Sequence, residues 1–399
     1  MSGRVDGDDW ERFRAALAGE PLPAALVDLD ALDANVALLL EPLRGGDKRL
    51  RLATKSVRCP ALLRYVIERG AGLVCGLMTY TAAETAFLAD EGFDDLLLAY
   101  PTAQPADADL LARANRRTRA AVVVDAPHHL EVLEARARAA GVTIPVVVEV
   151  DLAYRPLGAA LHLGVRRSPL REARDVVAFA RRVGACPHLD FLGLMGYEAH
   201  LAGVSDAERA ARLLKALARP AVARQRAEVS RALAAAGLAP RLFNGAGTGS
   251  LAAASREAVL TEVTAGSGFL ASHLFDAYQG LPLQPAAFFA LQVVREPAAG
   301  IVTCLGGGYV ASGAAGRDRL PVPVLPAGAR LLDLEGAGEV QTPVRLPPGV
   351  RLQPGDPVFF RHAKAGELAE HFNEYLLVRG RKVESRAPTY RGLGRCFLG

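Results

Sequence analysis

The chain has 399 residues, more than one ordinary domain holds, so its length indicates two or three domains. Apolar residues make up 51% of it, which is enough to form a large core. The net charge is only +4, and the one arginine-rich run, over 113–119, is interpreted as the solvated face of a surface helix and turn. Binding to nucleic acid is therefore not implied.

Residues 1–20 are acidic and contain no apolar run, so we expect neither a signal peptide nor a membrane segment. Cysteines occur at positions 59, 75, 186, 304 and 396, without a C-x-x-C pair and without the spacing of a zinc site. Scattered cysteines of this kind are typical of reduced thiols in a cytoplasm. We expect a cytoplasmic protein that is not bound to a membrane.

From about Leu22 the chain alternates between short apolar runs and amphipathic stretches. An opening strand over 24–30 and a helix over 31–43 come first. The strands that follow are predicted over 49–57, 72–78, 95–99, 120–125, 144–150, 191–195, 241–243 and 259–263, with helices over 61–68, 82–90, 129–140, 171–183 and 206–236. Most of these strands are continuously apolar, which indicates a parallel sheet covered on its outside. The pattern predicts an α/β fold, a (β/α)8 TIM-type barrel, over 24–275.

The composition changes after about Phe288, where prolines and glycines separate short alternating strands. Strands are predicted over 290–295, 300–304, 340–344, 358–361 and 375–378, and no helix of ordinary length is evident. This pattern is typical of an antiparallel β domain. We assign 276–399 to this second domain, together with the N-terminal residues 1–23.

Lys55 lies at the end of the alternating stretch 49–57, just before a helix start marked by Pro60. A buried ammonium is costly, and an amine in an apolar site has a lowered pKa, so such a lysine can attack a carbonyl group. The alternative is a lysine whose tip simply reaches solvent at the end of a strand. Features elsewhere in the chain favour the reactive lysine.

A glycine-rich turn, Asn244-Gly245-Ala246-Gly247-Thr248-Gly249-Ser250, follows the seventh barrel strand and precedes a helix. Glycines let backbone N–H groups converge on an anion, and a helix start favours negative charge. A tight strand-to-helix turn with no ligand is the alternative. Phosphate sites recur on the late strands of such barrels, which favours phosphate here.

Other polar side chains follow the ends of the fifth, sixth and eighth strands. Because catalytic groups of a barrel lie at the carboxyl ends of its strands, we expect these side chains to ring one mouth together with Lys55. A phosphate-binding turn facing a lysine fits pyridoxal phosphate, whose aldehyde the amine would take. The side chains concerned are those of Arg155, Tyr197, His200 and Thr264.

These motifs, in this order, resemble the fold-type III pyridoxal-phosphate enzymes, whose barrel is of the alanine racemase N-terminal type. The resemblance covers nearly the whole chain and is strongest to the D-threonine aldolase and D-serine dehydratase branch, including relatives described as amino acid deaminase/aldolase. It rests on the segments Val27–Asn35, Lys55, Glu149-Val150-Asp151 with Arg155, Gly193–Tyr197, Gly245–Ser250, Glu262 and Gly266.

The resemblance implies a Schiff base between Lys55 and the cofactor, with Lys55 also acting as a base. It further implies phosphate binding by the residues from Gly247 to Ser250 and stacking of Tyr197 on the cofactor ring. Thr264 departs from the racemase pattern, which has an arginine at this position facing the pyridine nitrogen. A second catalytic tyrosine could not be placed either, and both departures argue against racemisation.

The resemblance also implies a divalent metal, which aldolases and dehydratases of this branch bind through a His-x-Cys or His-x-Asp pair in the second domain. Here His362 is present, but Lys364 replaces the second ligand, and an ammonium cannot ligate a cation. Either Glu367 or His371 completes an altered metal site with His362, or Lys364 supplies the positive charge itself. An ordinary hydrogen-bonded loop histidine is the remaining alternative.

The expected function is a lyase that acts on a small β-hydroxy-D-amino acid, by retro-aldol cleavage or by dehydration, and the sequence leaves the choice between them open. Lys55, Arg155, His362 and Lys364 are the candidate catalytic residues. The family resemblance implies a homodimer in which His362 and Lys364 act on the neighbouring subunit's cofactor. The alternatives are an amino-acid racemase and a non-catalytic pyridoxal-phosphate carrier.

Overall fold

The structure is a computed structural model, and it describes residues 7–364 and 366–398. Its helices are α1 (Asp8–Ala16), α2 (Leu29–Leu40), α3 (Pro60–Arg69), α4 (Ala82–Asp90), α5 (Pro105–Ala114), α6 (Pro127–Ala140), α7 (Ala173–Gly184), α8 (Ala199–Ala202), α9 (Arg209–Ala235), α10 (Leu251–Ala254) and α11 (Ser267–Leu270). Its first nine strands are β1 (Ala24–Asp28), β2 (Arg49–Ala53), β3 (Val74–Thr79), β4 (Leu96–Leu98), β5 (Ala120–Val124), β6 (Ile144–Glu149), β7 (Leu189–Gly196), β8 (Leu242–Gly245) and β9 (Glu262–Ala265).

The later strands are β10 (Ala287–Ala298), β11 (Ile301–Leu305), β12 (Val322–Leu325), β13 (Arg330–Leu331), β14 (Gln341–Arg345), β15 (Pro357–Arg361), β16 (Glu374–Arg379) and β17 (Lys382–Pro388). The described residues form two compact units. The barrel unit comprises 39–54, 70–265 and 397–398, and the sheet unit comprises 7–38, 55–69 and 266–396.

Strands β2 to β9 of the barrel unit form a closed barrel in chain order. All neighbouring pairs are parallel, and β2 closes the barrel against β9, with Arg49 opposite Glu262. Alternate apolar side chains of the strands fill part of the interior, among them Leu97, Val123 and Val147, each almost fully buried. The predicted (β/α)8 barrel is confirmed.

The barrel interior also holds a buried charge on β2. Arg51 is 1% exposed, and its guanidinium donates to both carboxylate oxygens of Glu262, at 2.6 and 2.9 Å. It also donates to the Asp95 carboxylate at 3.0 Å. Because an unpaired buried charge is costly, these acidic partners are what allow an arginine inside a barrel strand.

The sheet unit contains a mixed sheet of nine strands, most of them antiparallel. Strand β1 pairs with β10 in antiparallel and with β16 in parallel orientation. The predicted barrel range 24–275 includes β1, which lies in this sheet instead. Its residues are buried on both faces, so its continuous apolar sequence is indistinguishable from that of a barrel strand.

Helix α1 packs on the same sheet through Phe13, whose ring centroid lies 5.1 Å from that of Phe288 and 5.6 Å from that of Phe359. The N-terminal residues from Gly7 onward are thus part of the sheet unit. Within the ranges that the structure describes, no helix combines the length and the apolar character needed to cross a bilayer.

Candidate active site

Lys55 follows β2 directly and is the exposed residue of a buried segment. Residues 50–54 and 56–60 are all buried, whereas Lys55 is exposed. The preceding residue, Thr54, is anchored because its hydroxyl donates to the carbonyl of Met78 on β3, at 3.0 Å. The neighbouring main chain is therefore held inside the protein, while the Lys55 side chain is accessible.

Two positions of the glycine-rich turn at the end of β8 leave no room for a Cβ atom. A Cβ on Gly245 would lie 2.6 Å from Nη2 of Arg226, and one on Gly247 would lie 2.9 Å from Cβ of Ala202 and 3.2 Å from Cε2 of Tyr197. Ala246 adopts a φ of 73°, which is rare for a residue with a side chain. Gly247 and Gly249 are half-buried, and the rest of the turn is buried.

A buried carboxylate, Glu198, lies against this turn. It accepts hydrogen bonds from the Ala246 N–H at 3.2 Å and from the Ser250 hydroxyl at 2.7 Å. Arg226, which is fully buried on α9, donates to Glu198, to the Gly196 carbonyl at 2.8 Å and to Glu257 at 2.8 Å. The guanidinium compensates the charge of Glu198, so the carboxylate can shape the turn without an uncompensated buried charge.

Ser250 stabilises the turn through hydrogen bonds of its side chain. Its hydroxyl donates to Glu198 and its oxygen accepts from the Gly247 N–H at 3.2 Å. A phosphate contact from Ser250, as the sequence predicted, would have to replace the bond to Glu198, and that contact stays a prediction. Thr248 and the half-buried backbone of Gly247 and Gly249 are the better candidates for the anion.

The aromatic ring of Tyr197 lies beside the turn. Tyr197, at the end of β7, is half-buried, and the guanidinium carbon of Arg167 lies 5.0 Å from its ring centroid and 5.6 Å from that of Tyr100. The other edge of the Tyr197 ring approaches Gly247. This position next to the turn fits the stacking role that the sequence predicted for Tyr197.

Thr264 ends a hydrogen-bonded row across the barrel interior. The Asn244 amide donates to Thr264 Oγ1 and to Glu262 Oε1, both at 2.8 Å, and Glu262 in turn binds Arg51. The Thr264 hydroxyl can donate back to Asn244 Oδ1 at 3.2 Å. Asn244 was predicted as part of the turn, and in the structure its side chain orients Thr264.

His200 and Arg155, which were predicted to bind the cofactor and to act in catalysis, lie in the barrel unit, and these two roles stay predictions. His200 is 3% exposed, neither of its ring nitrogens has a hydrogen-bond partner among the described residues, and burial lowers its pKa, which favours the neutral imidazole. Its ring stacks with that of Tyr154 at 6.4 Å. Arg155 pairs with Asp151, which also binds Arg171, so its charge is compensated within the barrel unit.

Glu149, at the end of β6, is a titratable group that the sequence analysis quoted only as part of a motif. It is 4% exposed, and burial raises its pKa to about 7 although Arg167, at 3.8 Å, opposes this shift. A carboxyl group with a pKa near 7 can exchange a proton at neutral pH. Sequence alone could not reveal it, because the shift comes from burial.

The predicted metal and charge residues lie in the sheet unit. His362 is 3% exposed, neither of its ring nitrogens has a partner within the described parts of the chain, and burial lowers its pKa to about 3. Lys364 is exposed, and its Nζ lies 3.1 Å from the hydroxyl of Ser312. The Glu367 carboxylate accepts from the Ser312 N–H at 3.0 Å and from the same hydroxyl.

Their arrangement does not gather three metal ligands. Within 7–364 and 366–398 no group of three or more histidine, cysteine, aspartate or glutamate side chains could hold a metal ion. His371 is exposed and stacks on Tyr309 at 4.5 Å, whereas His362 is enclosed. A metal held by His362 with Glu367 stays a hypothesis.

Comparison with known families matches residues 27–271 to the family described as "Alanine racemase, N-terminal domain". The chain belongs to this family. The match contains the barrel strands and Lys55, and it confirms the resemblance on which the sequence analysis relied.

Two characterised relatives are aldolases by name. The chain is 28% identical over 247 residues to the 3-hydroxy-D-aspartate aldolase of Paracoccus denitrificans (strain Pd 1222), covering 61% of this chain and 59% of that protein. It is 27% identical over 257 residues to the D-threonine aldolase of Arthrobacter sp, covering 63% of each. The match thus spans about three-fifths of the relatives' length.

A solved structure extends the likeness of fold to the whole chain. The D-threonine aldolase from Filomicrobium marinum superimposes with a TM-score of 0.80 at 23% identity, over 94% of this chain and 96% of that one. At this identity the likeness concerns the fold, which includes both the barrel and the second domain.

The raised pKa of Glu149 predicts a pH-dependent change in stability. In the unfolded chain Glu149 has a pKa of 4.5, so it loses its proton at a lower pH than in the folded protein. The free energy of unfolding therefore falls as the pH rises from about 4.5 to about 7. Glu149→Gln lacks this titrating group. Its free energy of unfolding, relative to that of wild type, should therefore be about 1–3 kcal/mol more favourable at pH 8 than at pH 5. Urea unfolding at both pH values measures this. The exposed Glu131→Gln serves as control, and a gain that does not change with pH would contradict the shift.

The contacts of Glu198 predict that it acts on phosphate binding through the turn. Glu198→Gln should weaken binding of pyridoxal phosphate about tenfold, the loss expected from one or two hydrogen bonds, and leave binding of pyridoxal, which lacks the phosphate, unchanged. Glu257→Gln is the matched control, since Glu257 also pairs with Arg226 but has no hydrogen bond to the turn. Equilibrium titration monitored by fluorescence checks this, and equal losses for both ligands would contradict it.

Proposed function

We propose that this chain is a pyridoxal-phosphate-dependent lyase acting on β-hydroxy-D-amino acids. The observation that carries the proposal is the exposed Lys55 on an otherwise buried segment directly after β2. Two relatives that are named for the cleavage of 3-hydroxy-D-aspartate and D-threonine support the substrate class. When bound, pyridoxal phosphate accepts the electron pair left on the α-carbon of the substrate.

The residues present fit this cofactor. Lys55 would bind its aldehyde, and the turn from Gly247 to Gly249 would bind its phosphate. Gly247 packs tightly against the ring of Tyr197, so this ring lies directly beside the turn that would bind the phosphate and could stack on the cofactor. Thr264 offers the ring nitrogen a neutral hydroxyl and no charge, and this favours a lyase over a racemase.

The protein's own groups would then move the protons. Lys55 Nζ would take the α-proton in a dehydration, and Glu149, with a pKa near 7, can hold or release a proton at neutral pH. The cationic Lys364 would stabilise negative charge that develops on the β-oxygen, the task of a metal ion in other enzymes. In a head-to-tail homodimer the exposed Lys364 is available to a neighbouring subunit, whereas His362 is buried in its own unit.

Product analysis tests the function. D-threonine and D-3-hydroxyaspartate should yield either glycine with an aldehyde or ammonia with a 2-oxo acid, and the L-enantiomers should not react. Turnover should persist after dialysis against a chelator, because Lys364 replaces the metal charge. Lys55→Ala should form neither set of products.

Chiral chromatography with aldehyde and ammonia assays measures these outcomes. Interconversion of enantiomers without cleavage would establish a racemase instead. Activity that is lost on chelation and restored by a divalent ion would contradict the role of Lys364 while leaving the lyase assignment intact.

A further inference from the structure

The main chain of Lys55 is enclosed by residues of its own sheet unit. The Lys55 carbonyl oxygen accepts a hydrogen bond from Nε of Arg58 at 3.1 Å. Arg58 adopts a φ of 51°, a left-handed conformation that costs free energy for any residue with a Cβ. Such a conformation persists only where surrounding contacts impose it.

Two contacts fix Arg58. Its Nη1 donates to the Glu370 carboxylate at 2.6 Å, and its carbonyl accepts from the Tyr390 N–H at 2.9 Å. The side chain of Arg58 is 11% exposed and that of Glu370 is 33% exposed, so the pair is partly shielded from water. A charge-assisted hydrogen bond of this length holds the guanidinium in one place against the Lys55 carbonyl.

Gly366 closes the other side of the Lys55 peptide. Its φ is 75°, and a Cβ added to it would lie 1.9 Å from the Lys55 carbonyl oxygen and 2.8 Å from the carbonyl carbon. The same Cβ would lie 2.9 Å from the Cα of Ser56. Any other residue at this position would have to displace the main chain that carries Lys55.

We propose that Arg58, Gly366 and Glu370 are positioning residues that fix the main chain of Lys55 and thereby aim its amine. The inference rests on the proposed function, in which Lys55 binds the cofactor aldehyde. A lysine side chain has four rotatable bonds, so anchoring its backbone is the way to restrict the volume that Nζ explores. The segment 366–370 serves the Lys55 of its own chain.

Two glycine variants distinguish the effect of the contact between Gly366 and the Lys55 main chain from the effect of backbone strain. Gly366→Ala and Gly349→Ala both place a Cβ at positive φ, 75° and 83°, but Gly349 has no atom within 4 Å of the added Cβ. Gly366→Ala should slow formation of the borohydride-reducible link between pyridoxal phosphate and Lys55 about tenfold or more. Gly349→Ala should form the link at close to the wild-type rate.

Binding of pyridoxamine phosphate shows whether a variant has lost the orientation of the Lys55 amine or the cofactor site itself, because this ligand has no aldehyde for Lys55 to attack. Its dissociation constant should stay within about twofold of wild type in both variants, since the turn that would hold the phosphate is untouched. An equal loss of pyridoxamine phosphate binding in Gly366→Ala would contradict the positioning role.

Glu370→Gln gives a second variant should Gly366→Ala fold poorly. Its control is Glu374→Gln, which likewise removes the negative charge of an ion pair, here with Arg386 at 2.6 Å in the same unit, and Glu374 has no hydrogen bond to Arg58 among the described residues. Glu370→Gln should slow the link several-fold and its control should not. Wild-type rates in both Gly366→Ala and Glu370→Gln would overturn the proposal, and absence of any reducible link in the wild type would overturn the proposed function with it.

Discussion

The candidate phosphate site depends on one fully buried ion pair, Arg226 with Glu198. The guanidinium is 0% and the carboxylate 1% exposed, so each charge compensates the other away from water, and Glu257 also pairs with Arg226. Through Ala246 and Ser250 the carboxylate holds the turn in an arrangement that requires glycine at two positions. The conformation of the turn therefore depends on this pair.

Ion pairs also support two other candidate site residues, Thr264 and Lys55. Thr264 is oriented by Asn244, which is held by the buried pair of Glu262 with Arg51. The Lys55 carbonyl is bound by Arg58, which pairs with Glu370. In each case an ion pair that is at least partly shielded from water supports a residue of the candidate site. Rigid support of this kind is what a site needs to hold reacting groups in one geometry.

Local sequence patterns were sufficient to predict the barrel, and they singled out Lys55 and the glycine-rich turn as candidate site residues, because each of these features depends on residues adjacent in the chain. Apolar runs predicted the strands, and glycines predicted the turn. Pairings between distant segments were not predictable: nothing in the spacing of Glu198 and Arg226 links them, and the run of β1 reads as a barrel strand. The role of Ser250 and the raised pKa of Glu149 also follow from burial, which only the fold determines.

The chain has five lysines, at positions 48, 55, 215, 364 and 382, so chemical labelling tests the central assignment directly. The protein would be loaded with pyridoxal phosphate, reduced with borohydride, digested and analysed by mass spectrometry. The account predicts a single phosphopyridoxyl group on the peptide that contains Lys55. A label on Lys48, Lys215, Lys364 or Lys382 in place of Lys55, or no label at all, would contradict it.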